Sequence, residues 1–500
     1  MTGMSPDSHL PHAIFVLLYL FVLMGVGAMK ARSIKNQEDF SLAGRGLSTF
    51  VLIGTLLATW IGTGSIFGNA QKTFDVGMAG FLLPISGAFG IIALYFLAQR
   101  IRRFGQFTIQ DILEARFGAA TRVMGTITLV LAYVIIVSYQ YRAGATVLGY
   151  IWPELGKEYA TCVVAVFVIA YTALAGMYSV AYTDVANGIL MTIGIVLALP
   201  ILFDKVGGME GVTSALSNSD LDTFGTYSTG QLISFLLPAF LMLIGDANMY
   251  QRFFSAKTPA DAKKSAAYML IGVLFLECAI IAVAVLGKAL VAQGQLTEPE
   301  NPAHIIVHMA FNTLPPLLGA MMVGTVVAIV VSTADSYLLS PATSLVRDVY
   351  QRFMRPDASE KNIVKTSRIV VLLLGLVALA LAFTSDEFFG VALFAYTIYG
   401  AGITPALFAA FFWKRATGAG ALSSMITGVA TSILWHIAIE RAVLIDWARE
   451  AGFESVASFG QQAADAGIDA VLPAVVVSIG VLIVVSLAGS PPDKEHAEAI

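Results

Sequence analysis

Charge is what this 500-residue chain has least of. Only 12% of its residues are Asp, Glu, Lys or Arg, about half the share in a soluble globular protein. The apolar residues, 57% of the total, come in blocks of roughly 20, enough to cross a hydrocarbon core as helix. That combination excludes an ordinary soluble enzyme and describes a polytopic membrane protein. Short segments of alternating polarity are missing, which argues against a β-barrel. Cysteine is nearly missing too: Cys162 and Cys278 both lie in apolar segments, so neither a disulfide framework nor zinc spacing exists. No phosphate-binding motif appears, which argues against a primary pump, and no nucleic-acid partner is expected. The first apolar block lacks a basic leader and an A-x-A site, so it reads as a retained helix rather than a signal peptide. The formal net charge of −4 says little, because in a membrane protein placement outweighs the sum.

Thirteen apolar spans are expected: 10–29, 47–71, 77–100, 120–150, 160–178, 182–203, 230–250, 265–290, 317–345, 367–384, 388–411, 418–439 and 470–489. Of the 29 Lys and Arg residues, 22 fall in one set of alternate loops and six in the other. Arg142 alone falls deep inside a span, the others lying in loops or at span ends. Basic residues concentrate on the cytoplasmic side, so the N-terminus is expected outside and the C-terminus inside a cell membrane. The opposite loops are acidic or mixed, as in SNSDLDTF (217–224) and TEPENP (297–302). The tail PPDKEHAEAI is expected to be cytoplasmic and unstructured.

Within the second span, ATWIGTGSIFGNA (58–70) puts Gly62, Gly64 and Gly68 beside Thr63, Ser65 and Asn69. Each glycine weakens a helix by about 1 kcal/mol relative to alanine, and freed carbonyls in lipid cost several kcal/mol each unless they face protein, water or a ligand. Close helix packing through small-xxx-small spacing would also account for Gly64 and Gly68. A second break argues further. LLPAFLMLIGDANMYQR (236–252) holds Pro238, Gly245, Asp246 and Asn248 at depth. The two broken spans are five apart, and an odd-numbered unit repeated once must be inverted in the membrane. Paired interruptions in two inverted halves mark the binding site of a secondary transporter. The expected fold is therefore all-α and polytopic, a 5+5 inverted repeat with discontinuous helices 2 and 7. Residues 47–203 and 230–411 form the repeats, 10–29 and 418–489 are peripheral, and 490–500 is the tail.

Four stretches together resemble the sodium/solute symporter family, whose members have the leucine-transporter-type fold: ATWIGTGSIFG, MYSVAYTDV (177–185), NMYQRFFSAKTPADAKKSA (248–266) and VVSTADSYLLSPATSLVRDVY (330–350). TWIGTGSIFG and YSVAYTDV look most like the high-affinity choline transporter branch. The resemblance implies sodium-coupled import of a small organic solute by alternating access. It places sodium between helices 2 and 9, on the carbonyls of Ala58, Ile61 and Ile329 and the hydroxyls of Ser332 and Thr333. Sodium is a hard cation that such oxygens suit, and the weakened turn after Ile61 would free the first two carbonyls. Back-bonding of the two hydroxyls to their own helix is the alternative. Asp184, Asp335 and Ser336 match a region that relatives use for a second cation or for gating; here an aspartate stands at the first serine position.

For the solute, the choline branch uses four caging aromatics. Those positions hold Trp60, Phe89, Gln140 and Asp246 here, and Ser65 is placed with them. Only two are aromatic, so a complete cage is absent. An amino acid, a betaine or other amine, a sugar or polyol, and a carboxylate all stay open, with Asp246 contacting an amine or accepting hydroxyls. Glu277 and Arg142 read as polar contacts within the bundle, with lining of a water-filled space as the alternative. SAKTPADA (255–262) reads as an N-cap followed by a short helix. Beyond sodium no cofactor is expected. The partners are the solute, the ion and the bilayer, and the chain is not read as an enzyme. A proton-coupled carrier of the same fold and a solute sensor built like a transporter are the alternatives.

Overall fold

The computed structural model describes residues 10–32, 34–224, 227–385 and 388–497. Among them helices dominate, and the one strand-like contact is the isolated bridge between Leu47 and Ala256. Twelve helices are long and apolar enough to cross a membrane. The expected thirteenth, the second span, is too broken to count on length. Helix α1 is Leu10–Ala31. The second span is split into α2, Thr49–Trp60, and a π-helical turn Gly64–Asn69 that leads into α3, Ala70–Val76. Gly77, at φ 65°, then turns the chain towards α4, Leu83–Phe104.

A short helix, α5 (Ile109–Phe117), is capped by Thr108, whose side chain accepts from the Asp111 amide. It precedes α6, Ala119–Ile151. The next two expected spans follow each other as α7 (Lys157–Val206), which a kink at Gly176 divides into two membrane crossings, Lys157–Leu174 and Gly176–Val206. A Cβ there would lie 2.9 Å from the Phe40 ring, and φ is +54°, so glycine fits both the conformation and the space. MYSVAYTDV (177–185) therefore lies wholly in the second crossing, just after the kink, rather than being shared between the two.

The second half repeats this order. The broken pair is α8, Thr229–Gly245, and α9, Ala247–Ser255. Then come α10, Pro259–Ala292, a short α11, Ile305–Asn312, and α12, Pro316–Ser344, which continues as a π-helix over Leu345–Met354. Helices α13, Glu360–Ala382, and α14, Phe389–Phe412, complete it. Each half therefore runs broken helix, long helix, short helix, long helix and two more spans. The short helix lies on the basic-loop side in one half and on the opposite side in the other, as inversion requires.

Helices α15, Gly418–Trp435, and α18, Val471–Ala488, pack against each other outside the repeats. Two surface helices join them, α16 (Val443–Glu450) and α17 (Glu454–Asp465). Thr258 caps α10 with Pro259 at its first turn. The expected short helix there is the start of the membrane span itself. The tail, expected to be unstructured, makes one helical turn at Lys494–Ala497, and its last three residues lie outside the described residues.

Candidate functional site

The two breaks meet at the centre, against α12. Ile61 leaves the helical region (ψ 90°) after its amide bonds the Leu57 carbonyl. Helical bonding resumes with Ser65 and Ile66, whose amides donate to the Gly62 carbonyl. Across this gap Ser332 Oγ donates to the Ala58 carbonyl at 3.1 Å and to the Ile329 carbonyl at 3.2 Å. The Thr333 hydroxyl is buried with no hydrogen-bond partner. It packs so closely on Gly62 that an added Cβ would sit 2.9 Å from Oγ1. The structure thus brings Ala58, Ile329, Ser332 and Thr333 together beside the Ile61 turn, with all five residues buried. An unpartnered buried hydroxyl costs about 1–3 kcal/mol, so the spot is incomplete as a purely structural contact.

At the second break Asp246 is the N-cap of α9. Its carboxylate accepts from the Asn248 and Met249 amides at 2.7 and 3.3 Å, from the Tyr133 hydroxyl at 2.9 Å and from the Tyr337 hydroxyl at 3.1 Å. The carbonyls freed in α8 are taken by α14: Thr404 donates to Leu241 O at 2.7 Å and Tyr399 to Gly245 O at 2.8 Å. Asp246 therefore closes the break from within.

Below, on the basic-loop side, Arg252 lies fully buried. Its Nη2 reaches Ser336 Oγ at 2.7 Å and Asp184 Oδ2 at 3.4 Å, and its Nε donates to Thr55 Oγ1 at 2.9 Å. Thr55 also donates to Asp184 at 2.5 Å, and Ser336 to Asp335 at 3.3 Å. Backbone bonds seal this side: Leu47 N to Ser255 O, 3.1 Å, and Lys257 N to Leu47 O, 2.9 Å.

The opposite side is open. A vestibule of about 810 Å³, edged by Lys72, Arg142, His436, Glu440 and Asp469, leads inward past Phe235, Phe389 and Leu393. Beneath it a cavity of about 60 Å³ reaches Trp60, Ser65, Glu277 and Tyr396. Of the five expected solute contacts, Trp60 and Ser65 line this cavity. Gln140 accepts from the Thr63 hydroxyl, and Asp246 is committed to its cap and tyrosines. Phe89 is corrected outright. It is 59% exposed on the outer face of α4, and Ser86 and Gly87 turn inward instead. Gly87 packs on Trp60, with 3.3 Å between an added Cβ and the indole. Glu277 lines the cavity, in keeping with the water-lining alternative, and so does Tyr396, which no sequence signal marks. The intramembrane charge of Glu277 was the available signal.

This architecture, two broken helices around a central cavity, is that of a secondary transporter. It is matched by an outward-open Na+-coupled sialic acid symporter, with TM-score 0.77 over 97% of this chain and 98% of that one at 17% identity. It is also matched by Mhp1, a nucleobase-cation-symport-1 family transporter, with TM-score 0.59 over 92% and 97% at 13% identity. These likenesses concern the fold. The sequence profile of the Sodium:solute symporter family matches residues 40–428, and the chain belongs to that family. It is 28% identical to the high-affinity proline transporter PutP of Bacillus subtilis, over 83% of this chain and 89% of that transporter. It is 27% identical to the high-affinity choline transporter 1 of Drosophila melanogaster, over 83% and 69%. The protein is a multi-pass membrane transporter, not an enzyme.

Proposed function

We propose that the protein imports a small organic solute by sodium-coupled symport with alternating access. The observation that carries this reading is the unpartnered Thr333 hydroxyl beside Ser332, which already bridges Ala58 and Ile329 across the helix break. A sodium ion held by the carbonyls of Ala58, Ile61 and Ile329 and by the two hydroxyls would satisfy Thr333. Neutral oxygens of this kind replace the hydration shell of a hard cation. The ion would tie the broken helix of the 47–203 repeat to the 230–411 repeat. The open vestibule with a sealed opposite face supports an outward-facing state in which the basic loops, and the tail from 490 onward, are cytoplasmic, with the N-terminus outside.

Asp184, Asp335 and Ser336 serve gating in this reading rather than a second sodium. The Arg252 guanidinium stands where a second cation would, between Asp184 and Ser336, and it is carried by α9 behind the second break. Spans 10–29 and 418–489 stay peripheral to the moving parts. The relatives named for proline and choline support a small, nitrogen-bearing solute. The reading is tested by the thermal stability of the purified protein in NaCl against equal KCl. Sodium is expected to raise the unfolding temperature saturably, and equal curves in the two salts would contradict it.

A further inference from the structure

Glu277, on α10, is buried in the wall of the inner cavity, 3% exposed. Ser65 Oγ donates to one carboxylate oxygen at 2.6 Å and Asn69 Nδ2 to the other at 3.0 Å. Neither partner carries charge, and no basic side chain lines the cavity. A carboxylate in that position is expensive unless a positive charge joins it. The remaining walls suit such a charge: Trp60, Phe235, Phe389 and Tyr396 surround the space, and aromatic faces attract cations. An ionised carboxylate offers about four lone-pair positions. Ser65 and Asn69 use two, which leaves room for two N–H donors from one nitrogen.

Resting on the symport reading, and deepening it, we propose that Glu277 recognises the transported solute through a protonated primary or secondary amine seated between its carboxylate and the aromatic walls. The same bond carries the coupling. Ser65 and Asn69 belong to the π-helical turn Gly64–Asn69, which follows directly on the break at Ile61, so an amine on Glu277 fixes the chain just beyond the Ala58 and Ile61 carbonyls that would hold sodium. Ion and amine then order one piece of chain together, and each tightens the other by the same factor.

The test is ligand-induced thermal stabilisation of the purified full chain, read in NaCl and in KCl. The probes with N–H donors are the proteinogenic amino acids, sarcosine and 4-aminobutyrate. The contrasting probes are choline and glycine betaine, which carry charge without N–H; sorbitol and galactose, which are neutral; and cyclopentanecarboxylate, which is proline's ring without its nitrogen. At least one N–H amine is expected to bind, and at least roughly tenfold more tightly than its deaminated counterpart, as loss of a charged hydrogen bond implies. Glu277→Gln is expected to weaken that amine by a similar factor while keeping the stabilisation by sodium alone. If Glu277→Gln does not fold, the wild-type comparison of amine with deaminated counterpart decides. Binding of a polyol, of cyclopentanecarboxylate or of a quaternary amine as tight as that of any N–H amine would overturn the proposal. So would binding by no N–H amine, or full affinity in a folded Glu277→Gln. Lack of stabilisation by sodium alone would instead contradict the coupling reading, whatever the amines do.

Discussion

Removing both hydroxyls of the proposed ion site, Ser332→Ala with Thr333→Val, separates an ion site from a packing contact. Without sodium, Ser332 bonds two carbonyls at 3.1 and 3.2 Å, while Thr333 bonds nothing. Losing the Ser332 bonds leaves the buried Ala58 carbonyl at the break short of a donor, a cost of about 1–3 kcal/mol, and removing an unsatisfied buried hydroxyl returns about 1–3 kcal/mol. The sodium-free double variant should therefore be about as stable as the wild type. Valine keeps the shape that packs on Gly62. With sodium the balance changes, because two of five oxygen ligands are gone. We expect the sodium concentration for half-maximal stabilisation, or for half-maximal uptake in proteoliposomes, to rise at least roughly tenfold, a loss of about 1.4 kcal/mol. Solute binding at saturating sodium should largely recover. A folded double variant with unchanged sodium dependence would refute the assignment. A variant destabilised by several kcal/mol without sodium would show that the hydroxyls serve packing.

Further expectations follow from the surrounding structure. Asp246→Asn removes the charge from a cap that serves two amides and two tyrosines, so it should destabilise the protein by about 2 kcal/mol and weaken every solute alike; selective loss of amines would return Asp246 to the solute site. His304, in the loop before α11, is held neutral by burial and then by Lys157 and His308, with its pKa lowered to about 4. The folded state binds that proton more weakly than the unfolded chain, near 6.5, so the stability His304 confers is complete above about pH 6.5 and is lost as pH falls from there towards 4. His304→Gln should flatten that part of the unfolding-temperature profile, and an unchanged profile would contradict it. In a background without Cys162 and Cys278, a cysteine at Ser219 should label from outside and one at Lys361 only from inside; the reverse would invert the topology.

Both helix breaks were legible, because glycine and proline inside 20-residue apolar runs conflict with the helix that the runs otherwise demand. What closes the breaks was not. Asp246 reads as a ligand because a buried charge at a break needs a partner, and its partners Tyr133 and Tyr337 stand about a hundred residues away on either side. Phe89 failed because it rests on matching a position of the family alone, which does not fix the face that a residue presents: in α4 Gly87 packs on Trp60 and Phe89 lies 59% exposed. Arg252 and Asp184, each notable alone, show their pairing only once α7 and α9 are folded together. Gly176 parts the two crossings of α7 by a kink at positive φ with no loop between them, so MYSVAYTDV belongs to the second crossing alone.

The central claim is that this chain binds sodium between its two repeats. Binding of radiolabelled sodium to the purified protein, by scintillation proximity, measures that without any solute. The account predicts saturable binding of a single ion per chain, displaced by unlabelled NaCl, untouched by KCl, and lost or at least roughly tenfold weaker in Ser332→Ala/Thr333→Val. No saturable binding, or binding that the double variant leaves intact, would contradict it.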